Sequence, residues 1–172
     1  MKKYLLFITC SLLISSVTAE SQDLYIGGSI SSHELENETG SKFAVHLASK
    51  NIYENNLFVG GEIEAAIFDN NDFEDGKEKY SFSANVPLGM RFQLGKKAAI
   101  DLYALVGYSA MRLDFISTEE TINGFKWGAG IDTSLANWQV GVRYTQTKLD
   151  NSLVKELTEE NIGLIISHKL NL

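Results

Sequence analysis

The chain has 172 residues and carries 15 Lys and Arg against 22 Asp and Glu, a formal charge of −7, opposite in sign to what a general nucleic-acid binder needs. Its one cysteine, Cys10, lies in a leader-like opening stretch, so disulfides, thiolate metal sites and cysteine nucleophiles are excluded from everything after it. The length is that of one domain.

Lys2 and Lys3 precede an apolar run from Tyr4 to Ile14, followed by Ser15, Ser16 and Val17-Thr18-Ala19. A charged start, a short apolar core and a small-residue cleavage site predict a signal peptide over residues 1–19 and a mature chain over 20–172. Without Lys2 and Lys3, 13 basic residues face 22 acidic ones and the charge becomes −9. After Ala19 no apolar run approaches the roughly 18 residues of a membrane helix.

The mature chain alternates instead. Leu24, Ile26, Gly28 and Ile30 share one face; Tyr25, Gly27, Ser29, Ser31 and His33 share the other, which is the period of a strand. Phe43, Val45 and Leu47 then alternate with Ala44, His46 and Ala48. Leu57, Val59, Ile63, Ala65 and Ile67 alternate with Phe58, Gly60, Glu62, Glu64 and Phe68. The even positions from Tyr80 to Leu94 are apolar, and Ser81, Ser83, Asn85, Gly89, Arg91 and Gln93 oppose them. Residues 100–111, 125–135, 138–147 and 162–172 repeat the pattern. The sum is eight strands of about ten residues, the length of a tilted membrane-crossing strand. Pro87 cannot donate to a sheet ladder, so a bulge is expected there with Gly89 nearby.

Between the strands, residues 34–41, 69–79, 114–124 and 148–160 are long and acid-rich, whereas 50–56, 95–98 and 136–137 are shorter. Long and short connections alternate, which is the result of a meander with loops at one rim and tight turns at the other. The expected fold is all-β: an eight-stranded antiparallel up-and-down transmembrane β-barrel, both termini on the short-turn, periplasmic side. A soluble barrel of the lipocalin kind would turn its apolar face inward. Here the polar set is rich in Gly, Ser and Ala, suited to a narrow interior. The apolar set carries aromatics at two levels: Phe92 and Trp138 near the short turns, and Tyr80, Phe125, Trp127 and Tyr144 toward the long loops. Two aromatic levels suit a lipid-facing surface.

Three stretches carry a resemblance: Leu102-Tyr103-Ala104-Leu105-Val106-Gly107-Tyr108, Gly124-Phe125-Lys126-Trp127-Gly128-Ala129-Gly130-Ile131-Asp132, and Val140-Gly141-Val142-Arg143-Tyr144. With their order and spacing, the chain resembles the small eight-stranded outer-membrane barrels of the OmpA/OmpX type. The resemblance implies a monomeric surface protein without a cofactor, in the outer membrane of a Gram-negative bacterium, in contact with lipopolysaccharide. The last strand, with Leu164, Ile166, Leu170 and Leu172 on one face, is similar to the signal read by the barrel assembly machinery, although such strands usually end in Phe.

Counted up from the short-turn rim, Glu62, Arg91, Asp101, Asp132 and Arg143 fall at similar depth on the polar face, with Glu64 higher and Lys126 higher still. An eight-stranded barrel is only wide enough for side chains to fill it, so these groups are expected to form an ion-pair plug, the alternative being a narrow gated conduit. Asp69, Asp72, Glu74, Asp75 and Glu78 make the second loop acidic, with Glu34, Glu36 and Glu38 in the first and Glu156, Glu159 and Glu160 in the fourth. Their spacing is not that of a calcium loop, and no metal or cofactor site is expected; the acids are read as solvating the rim and repelling anionic lipopolysaccharide, the alternatives being bridging divalent cations or a docked basic partner. Leu149, Leu153, Val154 and Leu157 give the fourth loop a short helical face, for a partner or as a cap. His33 near the outer rim, beside Ser31, Ser32 and Glu34, raises an outer-membrane lipid-modifying enzyme. Neighbouring strand residues point oppositely, however, which separates His33 from Ser32 and Glu34. His46 is assigned to the lumen and His168 to an interfacial position. The function expected is structural or surface-interactive: acidic loops displayed on a barrel, with an unidentified surface ligand and no enzyme activity.

Overall fold

A computed structural model describes residues 21–36, 38–70, 76–115, 119–150 and 157–170. The expected signal peptide, the loop acids Asp72, Glu74, Asp75 and Glu156, the loop residues Leu153 and Val154, and Leu172 lie outside them. Eight strands follow one another: β1 (Ser21–Leu35), β2 (Glu38–Ile52), β3 (Leu57–Asn70), β4 (Gly76–Gly95), β5 (Ala98–Phe115), β6 (Glu119–Leu135), β7 (Trp138–Asp150) and β8 (Leu157–Leu170). Each pairs with the next, and β1 pairs antiparallel with β8 from Leu24↔Leu170 to Leu35↔Glu159, so the sheet is a closed barrel.

The alternating faces read from the sequence separate as inside and outside. Ile26, Ile30, Val45, Ile63, Phe82, Leu102, Ile131, Val140 and Leu164 stand on the outer surface, with Val45 65% exposed. A belt of large apolar side chains all round a closed barrel is a lipid-facing surface, since soluble monomers rarely expose contiguous apolar area on this scale. Aromatics edge the belt: Tyr80 packs edge-on against Phe82 and Trp127 against Tyr144 toward one rim, while Trp138 meets His168 at the other.

Strand ends differ from the sequence reading. The strands run 13 to 20 residues, not about ten, because the ladder continues past the apolar belt. The first connection, expected over residues 34–41, shrinks to the short link between Leu35 and Glu38, with Glu36 at a φ of 52°. Connection length therefore does not alternate strictly. Glu34, Glu38 and Asp69 sit on strands with exposed side chains, and Glu78 and Glu159 belong to β4 and β8 rather than to loops. Leu149 and Leu157 likewise end β7 and begin β8 instead of marking a helix. The rim bearing the ends of β1 and β8 is the terminal rim; the opposite one is the far rim.

Pro87 makes no bulge. The β3–β4 register runs unshifted on both sides of it, from Val59↔Leu88 to Glu62↔Asn85, with the two intervening pairings missing. The partner strand accommodates the ring: a Cβ on Gly60 would sit 2.8 Å from Pro87 Cγ and 2.4 Å from the Ser49 carbonyl. β4 does shift its register at two other places, between Glu78 and Tyr80 and between Gln93 and Gly95.

Candidate functional site

The polar face closes around a lumen filled by side chains, and these form three layers. Nearest the terminal rim, Arg91 of β4 gives Nε and Nη2 to the two oxygens of Asp101 at 2.7 and 2.8 Å and Nη1 to Asp23 at 2.8 Å. Tyr25 donates to the same Asp23 oxygen, and Lys169 approaches the other at 2.5 Å. Lys50 from β2 bridges Asp101 and Asp132 at 2.8 and 3.0 Å. The Lys50 ammonium also lies 5.1 to 5.5 Å from the ring centres of Tyr25, Phe58 and Tyr103, a cation held by carboxylates and aromatic faces together.

The middle layer is a fork-to-fork pair. Arg143 Nη1 and Nη2 reach Glu62 Oε1 and Oε2 at 2.7 and 2.8 Å, and Asn85 donates to Glu62 from the next strand. Arg143 Nε donates to the Tyr103 hydroxyl, which in turn donates to Asp132, joining this layer to the one nearer the terminal rim. His46 lies alongside, 2.9 Å from Ser167 Oγ.

The far layer gathers Glu64, Lys42 and Lys126, with Glu64 3.1 Å from each ammonium. Lys42 is 3.6 Å from Glu159. His33, wholly buried, points its Nε2 at Glu78 at 2.7 Å and its Nδ1 at Asn161 at 2.9 Å. Above these, Leu35, Phe68, Met111, Leu113, Ile122 and Leu149 form an apolar cluster that caps the lumen, with Leu157 packed against it. Two cavities between the layers measure about 30 Å³ and 10 Å³, room for a water or two.

The structure therefore brings all seven charges read from the sequence into the lumen, but divides them among layers: Arg91, Asp101 and Asp132; Glu62 and Arg143; Glu64 and Lys126. It adds Asp23, Lys42, Lys50, Glu78 and Glu159. For Asp23, Lys42 and Lys50 the signal was present, since each continues the inward phase of its strand by two residues beyond the apolar run. Glu78 breaks phase. Tyr80 and Phe82 face outward, so Glu78 should too, but the register shift at Lys79 reverses the alternation and turns Glu78 inward, the usual effect of a bulge. The partners found for His33 are carboxylates and an amide, not the hydroxyl a nucleophilic dyad requires.

Outside, beyond the apolar belt, Lys79 contacts Asp114 and Glu119 at 2.8 and 3.1 Å, and Arg112 reaches Glu119 at 2.5 Å. The hydrogen bond from Arg112, then that from Lys79, hold the Glu119 carboxyl below its ordinary value of 4.5.

The family model for the outer membrane protein beta-barrel domain matches residues 5–165. The curated proteins offer no match. Among solved structures, Neisserial surface protein A is similar with a TM-score of 0.66 and 11% identity, over 90% of this chain and 100% of that one. Ail, the attachment invasion locus protein of Yersinia pestis, is similar with a TM-score of 0.52 and 16% identity, over 90% and 100%. Ail in complex with the heparin analogue sucrose octasulfate gives 0.54 and 13%, over 87% and 97%. At such identities the likeness is one of fold.

Proposed function

The chain belongs to the outer membrane protein beta-barrel domain family, and on that premise we propose that it is a closed anchor displaying an acidic far rim at the cell surface, with both termini in the periplasm. The observation that carries this reading is the lumen: ion pairs fill it in three layers, an apolar cluster caps it, and the two cavities between the layers admit a water or two. A conduit would need a continuous hydrated path, and an enzyme a reachable nucleophile; the packing supports neither.

The rim's charge supports a preference among partners. Beyond the belt, Glu34, Glu36, Glu38, Asp69, Asp114, Glu119, Glu120, Asp150 and Glu160 outnumber Lys77, Lys79, Arg112 and Lys148. Such a rim favours a basic partner and repels a polyanion, the reverse of the sulfated ligand bound by the Yersinia pestis protein. The test is reconstitution of the full barrel in planar bilayers beside protease treatment of intact cells. No steady conductance, with cleavage confined to the far-rim connections, is the expected result. Steady single-channel current altered by Glu62→Gln or Arg91→Met would replace the anchor with a channel.

A further inference from the structure

His33, Glu78 and Glu159 lie above the membrane-spanning part of the barrel. Their outward-facing neighbours are Ser32 and Glu34, Lys77 and Lys79, and Thr158 and Glu160, all polar, whereas the belt's last apolar residues on those strands are Ile30, Tyr80 and Ile162. Yet the three side chains point inward and are sealed from water by the apolar cap. His33 is 0% exposed, Glu159 1% and Glu78 2%.

Hydrogen-bond geometry fixes the protonation of the ring. Asn161 donates its Nδ2 to Glu159 at 3.0 Å and to Thr145 at 3.5 Å, which leaves its Oδ1 facing His33 Nδ1. The other ring nitrogen faces the Glu78 carboxylate. Both nitrogens therefore meet acceptors, and with Glu78 ionised the doubly protonated imidazolium is the form that satisfies both. Charge gives the same answer. Glu64, Glu78 and Glu159 are three buried acids; Lys42 and Lys126 are two cations, and the imidazolium makes the third. The charged groups facing this site come from β2 (Lys42), β3 (Glu64), β4 (Glu78), β6 (Lys126) and β8 (Glu159), while β5 and β7 contribute Met111, Leu113, Thr147 and Leu149. The second oxygens of Glu78 and Glu159 accept no hydrogen bond from a described protein group, so the ring's proton adds to the charge that Lys42 and Lys126 already set against Glu159. Burial opposes charge on the ring, but the hydrogen bond and charge of Glu78, with Glu159 and Asn161, outweigh it and hold the ring's pKa above its ordinary 6.5.

We propose that His33 is a proton-operated latch for the far rim: its imidazolium ties Glu78 of β4 to Glu159 of β8 across the lumen and so holds the apolar cap shut. The bulge at Lys79 serves this tie, because it alone turns Glu78 inward. Phe68, a member of the cap, rests on the His33 ring with centroids 4.8 Å apart, so release of the ring reaches the cap directly. The sign comes from linkage. A group whose folded pKa is raised contributes stability that is complete below its unfolded value and fades as pH rises through the folded one. Protonation closes the latch; loss of the proton, as pH rises through the raised folded pKa, opens it and bares the leucines, Met111 and Phe68 at the rim. The inference stands on lumen geometry and is independent of the barrel's role as an anchor.

The experiment is hydrogen exchange on the full barrel in phospholipid nanodiscs, with nitrogen NMR of the His33 ring assigned by loss of its signals in His33→Gln. Below the His33 titration both ring nitrogens should carry protons. As pH rises through it, protection factors at the far-rim ends of β4, β5 and β8 should fall about ten-fold for each unit by which the folded pKa exceeds the unfolded one. The terminal-rim ends should hold constant. His33→Gln should show the lowered protection at every pH. A ring neutral at pH 6, rim protection unchanged across the His33 titration, or a His33→Gln variant with full acid-state protection would each overturn the latch. Should His33→Gln fail to assemble, rim protection in the wild type, followed across pH, still decides.

Discussion

Removal of one member of the Glu62–Arg143 pair tests whether the lumen is a dry plug. Arg143→Met leaves Glu62, buried, with Asn85 as its donor; Glu62→Met leaves the guanidinium with the Tyr103 hydroxyl and ring. Stranding one partner of a buried pair costs about 3–5 kcal/mol, whereas replacing both by apolar residues of like volume is close to neutral. Each single variant should therefore lose about 3–5 kcal/mol and the double variant no more than about 2, a strongly non-additive cycle. Trp127 and Trp138 stand on the lipid-facing surface, so their fluorescence reports equilibrium unfolding in denaturant from phospholipid vesicles. Singles costing under about 1 kcal/mol, adding simply in the double, would match a solvated pair and refute the plug.

Other substitutions probe other regions of the barrel. Val45→Lys, in the middle of the belt on β2, should cost about 2–4 kcal/mol in vesicles, and Glu34→Lys near zero; equal costs would contradict the inside-out arrangement. Gly60→Ala should be destabilised by about 1–3 kcal/mol, measured by the same unfolding assay, because its methyl group would meet the Ser49 carbonyl and the Pro87 ring. Wild-type stability at this site would mean that β3 does not make room for Pro87 in this way. Acidification should loosen the β5–β6 tip. Glu119 is held below 4.5 by Arg112 and Lys79, so its contribution is present above the unfolded carboxylate pKa and is lost as pH falls through the lower folded value. Exchange at residues 112–114 and 119–121 should rise below that point, and less so in high salt, which already weakens exposed pairs.

The sequence disclosed the eight strands and their two faces because lipid demands an unbroken apolar face wherever it touches. Leu24 to Ile30 and Phe43 to Leu47 could hardly be read otherwise, and the Ala136–Asn137 turn fell where the alternation paused. Strand ends were less legible, since the apolar signal stops with the hydrocarbon while backbone pairing goes on. Lys42 and Lys50 were missed for that reason, although both keep the phase of Ala44, His46 and Ala48. Glu78 could not be found by phase at all, because one extra residue in β4 reverses it. The partners of His33 were illegible for a related reason: β1, β4 and β8 lie far apart along the chain, and only ring closure brings them together.

The meeting of β1 with β8 has a kinetic consequence. The seam is clasped at each end, by Asp23 with Lys169 at one rim and by Glu36 with Thr158 at the other, where backbone and side chain of Glu36 both engage Thr158. These four residues are neighbours only once the cylinder is complete, so their bonds are absent while two raw edges are still searching for each other. Interactions formed that late slow opening without hastening closure. The two clasps thus govern how long a finished molecule endures, and a cell that must assemble it quickly gains nothing from strengthening them.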